Sequence, residues 1–159
     1  MCLTARLAPI EITTEAFAPY GNVVQATPDG RRTDLSSALD NRRSTAALAL
    51  YTQTIRPSTL PLVVEKMERH RYSSQTFLPL HVERYLVIVA PRDDGGGPDM
   101  SRACAFLCHG EQGITYRADV WHHPMTPLDR DGKFAVLMWS EGNQDDEEFR
   151  QLKQAVQVG

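Results

Sequence analysis

Apolar residues along this chain fall in short runs separated by proline, glycine and aspartate, the spacing of strands and turns. The densest run, Leu86-Val87-Ile88-Val89 inside Glu83 to Ala90, predicts a central strand buried on both faces. Further strands are predicted at Asn22 to Ala26, Thr45 to Thr54, Phe77 to Leu80, Arg102 to Cys108, Ile114 to Arg117 and Lys133 to Trp139. Leu62 to Arg69 fits two patterns, because Val63, Val64 and Met67 also make a helical stripe; its strand-like neighbours favour strand. Ile12 to Gly21 opens with a capping threonine, predicts a short turn of helix, and closes on proline and glycine. Asn143 to Gln157 carries acidic residues first and Lys153 late, a charge order that complements a helix dipole and predicts a C-terminal helix. Asp129 to Gly132 reads as a hairpin-type turn, and Arg56 to Pro61 as a break. Thr27 to Arg43 is polar and irregular, either a surface segment or a cover over the mouth of a pocket. Many short strands with little helix predict an all-β barrel or sandwich.

Length and composition narrow the class. A chain of 159 residues holds one domain with a substantial core, and nothing marks an internal boundary or repeat, so 1–159 is read as a single domain. With 17 basic against 20 acidic residues the net charge is −3, which argues against a nucleic-acid partner. Met1 to Arg6 lacks the architecture of a signal peptide, and no apolar run of about 18 residues offers a membrane span. A cytoplasmic protein is the expectation. The three cysteines, Cys2, Cys104 and Cys108, form neither a disulfide framework nor a zinc motif; in a strand Cys104 and Cys108 share a face as small buried side chains. Asp93-Asp94-Gly95-Gly96-Gly97 is a loop without the lysine and serine or threonine of a phosphate-binding turn.

Two polar clusters carry the candidate chemistry. One is Glu68-Arg69-His70 followed by Gln75-Thr76-Phe77-Leu78-Pro79; the other runs from Gly110-Glu111-Gln112-Gly113 to Val120-Trp121-His122-His123-Pro124. Strand neighbours point to opposite faces, so at most one of His122 and His123 faces a barrel interior unless the chain turns there. The expectation is that both clusters meet inside one barrel. His81 and His109 are read as surface or core residues.

These segments, together with Ala16-Phe17-Ala18-Pro19-Tyr20-Gly21, resemble the ureidoglycolate lyase family, and they occur in the family's order across nearly the whole chain. The chain departs from the family pattern in three places. Trp139-Ser140-Glu141-Gly142 stands where an Asp-Arg-Gly-Gly-like run is familiar, His109 where asparagine is, and 25–46 aligns poorly. The resemblance implies a cupin-like, jelly-roll β-barrel with short peripheral helices. It also implies cleavage of (S)-ureidoglycolate to glyoxylate and urea, and a homodimer. Such cleavage needs a base for the substrate hydroxyl, an acid for the departing nitrogen and a grip on the carboxylate. His122, His123 and Glu111 are the catalytic candidates that follow. Arg69 and Arg117 would hold the carboxylate, with Phe77 and Trp121 walling the pocket. His70, Gln75 and His122 would bind a divalent metal, Ni²⁺ by the resemblance, although the usual cupin glutamate is not evident; metal-free acid–base work by the same histidines is the alternative. A metal-dependent oxygenase or isomerase, and a non-catalytic cupin that binds a small organic acid, are the competing readings.

Overall fold

The computed structural model describes residues 5–159; Met1 to Thr4, Cys2 among them, lie outside the described residues. Thirteen strands carry this stretch: β1 (Ala5–Leu7), β2 (Ile10–Glu11), β3 (Gly21–Val24), β4 (Ala47–Ile55), β5 (Leu62–His70), β6 (Gln75–His81), β7 (Arg84–Ala90), β8 (Cys104–His109), β9 (Gly113–Tyr116), β10 (Trp121–His122), β11 (Thr126–Pro127), β12 (Gly132–Ser140) and β13 (Glu147–Val158). The one α-helix among the described residues, α1 (Thr14–Phe17), starts where Thr13 accepts the Ala16 N–H on its hydroxyl. Single 3₁₀ turns lie at Ser36–Ala38 and Met100–Arg102.

One sheet has eight strands, ordered β1-β13-β5-β10-β7-β8-β2 with β11 also on β7; the other has five, ordered β3-β9-β6-β12-β4. They curl toward each other as a half-barrel, an all-β cupin-like architecture. Between them lies a core of Phe17, Phe77, Tyr85, Val87, Phe106 and Phe134, with Cys104 and Cys108 on the same side of β8. The opposite face of the large sheet buries Met67, Leu86, Ile88, Trp121 and Val158. Strand β7 therefore feeds both clusters, as its uninterrupted apolar run predicts. The ambiguous Leu62 to Arg69 is strand β5.

The C-terminal helix is not formed; the segment is β13, antiparallel to β5 and parallel to β1. A dipole preference of about 0.3–1 kcal/mol is small beside the backbone pairing available on both sides. Val156 and Val158, two residues apart and both buried, already carry the strand period. The turn at Asp129 is tight, with Asp129 at φ 58°, but it is no hairpin. It carries the chain from β11 in the large sheet to β12 in the small one. The polar 27–43 segment is tied down at its end, where Ser74 donates its N–H to Asp40 O and Arg42 donates to Tyr72 O. That clasp delivers Arg43 to a cavity.

Candidate active site

Strand alternation sorts the first polar cluster. Beyond Met67, β5 sends Met67 and Arg69 toward Trp121 on the outer core, while Glu68 and His70 face the inside. Strand β10 lies beside β5 with His122 directly opposite Glu68, and sends Trp121 outward and His122 inward. Glu68 and His70 line a cavity of about 370 Å³, together with Gln75, Phe77, Tyr51, Arg43, Asp146 and Glu147, and His122 lies buried directly behind them. Gln75 and Phe77 come from the small sheet, and His122, from the second polar cluster, meets Glu68 and His70 of the first.

The donors and acceptors here do not balance. His122 Nδ1 donates to the Val120 carbonyl at 2.9 Å, so in the neutral ring Nε2 is a lone pair. That lone pair lies 3.4 Å from Glu68 Oε1, itself an acceptor. His122 Nε2, His70 Nδ1 and Gln75 Oε1 are all buried with no hydrogen-bond partner. The His70 and His122 rings are 5.8 Å apart. One ligand atom from each of Glu68, His70 and His122 falls within 4.8 Å of the others. A buried lone pair on His122 Nε2 facing a carboxylate oxygen suits a cation between them, and two imidazoles with one carboxylate suit a divalent transition metal with open positions. Glu68 is thus the carboxylate that the sequence reading found lacking. Its signal was present, since Glu68 and His70 two apart on a strand must share a face.

The charges are tuned by the same geometry. Burial, with the charge of His122 adding, pushes His70 down to about 4, so it is neutral at pH 7. Burial pushes Glu68 upward, but the imidazoles around it, His122 foremost, outweigh that when they carry a proton and hold the carboxyl below its ordinary range. Across the strand pair from His70, Glu147 is raised by burial and by the nearby Glu68 charge. One carboxyl is pushed down and its neighbour up. Arg43 is the cation on the cavity wall, held by Glu141 at 3.3 Å, by the Trp139 carbonyl at 3.0 Å and, more loosely, by Asp146 at 3.7 Å.

Several expected site residues lie elsewhere. Arg69 is on the far face of β5, bound to Glu148 at 2.6 Å and stacked 4.5 Å over Trp121; alternation alone turns both away from the cavity. Asp119 Oδ1 is 3.0 Å from Arg69 Nη1 at an angle too oblique for a hydrogen bond, so that contact is charge on charge. Arg117 is exposed, just past the end of β9. Glu111 is exposed in the β8–β9 turn, beside a different hollow that includes His109 and Gln25. Its motif serves the turn: Gln112 Oε1 accepts the His109 N–H, and a Cβ at Gly110 would collide with the Val82 carbonyl oxygen. His123 is tied by Nδ1 to Pro124 O at 3.0 Å and Thr126 Oγ1 at 3.1 Å, outside the cavity lining, and burial pushes its pKa down. Sequence reasoning missed Arg43, in the stretch read as irregular surface or a pocket cover, and Glu147, in the segment read as a C-terminal helix.

Fold and pocket together define a cupin-like barrel protein whose open mouth holds a carboxylate–imidazole group and one wall-mounted arginine. The sequence model of the ureidoglycolate lyase family matches residues 4–159. A ureidoglycolate lyase of Agrobacterium fabrum is 38% identical over 134 residues, 79% of each chain. One of Rhizobium etli is 35% identical over 135 residues, covering 79% of this chain and 80% of that one. One of Escherichia coli is 33% identical over 141 residues, covering 83% and 86%. The chain belongs to the ureidoglycolate lyase family.

Proposed function

We propose that this protein cleaves (S)-ureidoglycolate to glyoxylate and urea in allantoin breakdown. The observation that carries the reading is the converging Glu68, His70 and His122 group, whose first two members line, with Arg43, a cavity sized for a small acid. The substrate carbon bears a hydroxyl, a carboxylate and a ureido nitrogen. Arg43 receives the carboxylate, exchanging part of its grip on Glu141 and Asp146 for the bidentate pair that a guanidinium forms well. The hydroxyl proton leaves toward the anionic Glu68–His122 side as the carbon–nitrogen bond breaks and the carbonyl of glyoxylate forms. Glu147, with its raised pKa, supplies the proton that the departing urea nitrogen takes up. Gln75 and Tyr51 flank the space left for the ureido group, and Phe77 supports its apolar wall.

A divalent ion held by Glu68, His70 and His122, with Ni²⁺ suited to this borderline donor set, would polarise the hydroxyl and carboxylate oxygens as a Lewis acid. The same donor set also suits Fe(II). Glyoxylate release, followed by a coupled dehydrogenase, should exceed the spontaneous decay of ureidoglycolate. No excess would reject the lyase, and stoichiometric iron in such a protein would favour an oxygenase.

A second copy of the chain is the expected partner, paired through β4. This strand bonds β12 along its length on one side only and exposes Leu48 and, at 68%, Leu50. Light scattering should find a dimer that Leu50→Lys converts to monomer; a wild-type monomer would end that reading. Unpaired Cys104 and Cys108 suit a reducing cytoplasm, and no helix of the described residues is long and apolar enough to cross a membrane.

A further inference from the structure

We propose that Tyr116 is a positioning residue whose ring face fixes the plane of the His122 imidazole. The inference rests on His122 belonging to the site, and adds a residue from the opposite sheet.

The two rings are stacked, with centroids 4.1 Å apart and planes 14° from parallel. Tyr116 belongs to β9 of the small sheet and His122 to β10 of the large one, so the stack bridges the sheets. The need for it follows from the freedom of an imidazole. The Nδ1–H bond to Val120 O fixes one in-plane direction, yet the last torsion of histidine is broad, and a single hydrogen bond leaves the ring free to rock about it. A flat partner against one face removes that rocking. With both constraints, Nε2 is aimed at Glu68.

Tyr116 is itself immobilised. It is fully buried and meets Phe17 and Phe77 edge-on, at centroid distances of 6.2 and 6.3 Å. Its backbone is paired on one side with Gly21 and on the other with Gln75. A side chain at position 21 would drive into the Thr115 carbonyl oxygen, so glycine there lets β3 lie tight against β9. The phenol oxygen is buried with no partner. The hydroxyl contributes no hydrogen bond to the fold, so the aromatic plane is the part in use. Phenylalanine should therefore serve as well as tyrosine, and a non-planar side chain should not.

The test compares Tyr116→Phe, Tyr116→Leu and Phe134→Leu, the last removing a ring from the same core that does not touch His122. The first readout is the His122 Nδ1–H resonance by NMR in chelator-treated protein at pH 8. It should be a single slowly exchanging signal in the parent, Tyr116→Phe and Phe134→Leu proteins, and broadened or lost in Tyr116→Leu. The second is Ni²⁺ affinity by titration calorimetry, expected to fall about tenfold or more in Tyr116→Leu alone, the size typical for losing a residue that orients a metal-binding histidine. An unchanged Nδ1–H signal in Tyr116→Leu would overturn the proposal, and so would equal loss in Phe134→Leu. Absence of Ni²⁺ binding by the parent protein would count against the metal reading, while the proton signal would still decide the role of Tyr116.

Discussion

The two faces of β5 place chemically similar residues in opposite circumstances. On the outward face Arg69 is 5% exposed and fully engaged, by Nε and Nη2 to Glu148, by Nη1 to the Gly96 carbonyl, and by its flat face on Trp121, whose Nε1–H shares that same carbonyl. On the inward face, one residue away on either side, Glu68 and His70 sit among buried acceptors that nothing satisfies. A buried polar group with every partner met is part of the architecture. A group of buried acceptors left unmatched is held ready for something that arrives. Burial and charge alone do not tell these apart; the tally of partners does.

Variants on the two faces should therefore fail in different ways. Glu68→Gln and His122→Gln should lose about 10²-fold or more of glyoxylate release, as expected for positioned acid–base or ligand groups, with melting temperatures near the parent. A large loss of stability with modest loss of turnover would erase the distinction. Arg69→Ala should cost about 1–3 kcal/mol in denaturant unfolding, from the lost charged hydrogen bonds to Glu148 and the packing on Trp121, since Glu148 and Asp119 keep Arg150 and Arg92. Near-normal stability there would mean that the outward cluster is ornamental. Arg43→Gln should raise KM about tenfold or more with a smaller change in kcat, the pattern of lost substrate binding, in steady-state assays.

The two faces should also part in acid, in the chelator-treated protein. His70 has its folded pKa depressed to about 4 from 6.5, so the folded state binds its proton later than the unfolded chain does. Its contribution is complete above pH 6.5 and drains away as pH falls toward 4. For Glu148, burial pushes the carboxyl up but the Arg69 and Arg150 contacts outweigh it, leaving it below the ordinary value of 4.5. Its contribution is present above 4.5 and fades only below that. Unfolding free energy against pH should thus decline in two stages, and His70→Gln should shrink the earlier one, leaving the part that belongs to His123, whose pKa burial also lowers. Smallest of all, Glu111→Gln should change turnover less than twofold, since that side chain is solvent-exposed in a turn remote from the cavity lining.

The strands were legible because alternation and turn residues are local, and the family motifs named the barrel. The C-terminal segment misled because its charge order is a surface effect, whereas β13 exists through backbone pairing with β1 and β5 that no local pattern announces. In the site, the convergence of His70, Gln75 and His122 was legible from the motifs. Glu68 was legible from its two-residue spacing to His70 but was passed over, with Gln75 taken as the third ligand and the cupin glutamate read as not evident. Which arginine faces inward was not legible. Arg69 adjoins His70 in sequence and is turned away by a half-period of strand, while Arg43 reaches the cavity through a loop tied to the β5–β6 connection.

Strand β10 is two residues long, and it sets an indole and an imidazole back to back. The link from β9 to β10 is therefore a gauge of fixed length. Dropping or adding one residue between Arg117 and Val120 would exchange the two rings, sending a bulky indole to the cavity side and a basic ring into the outer apolar layer. Loop engineering around this pocket has freedom at 27–39 and none in that link.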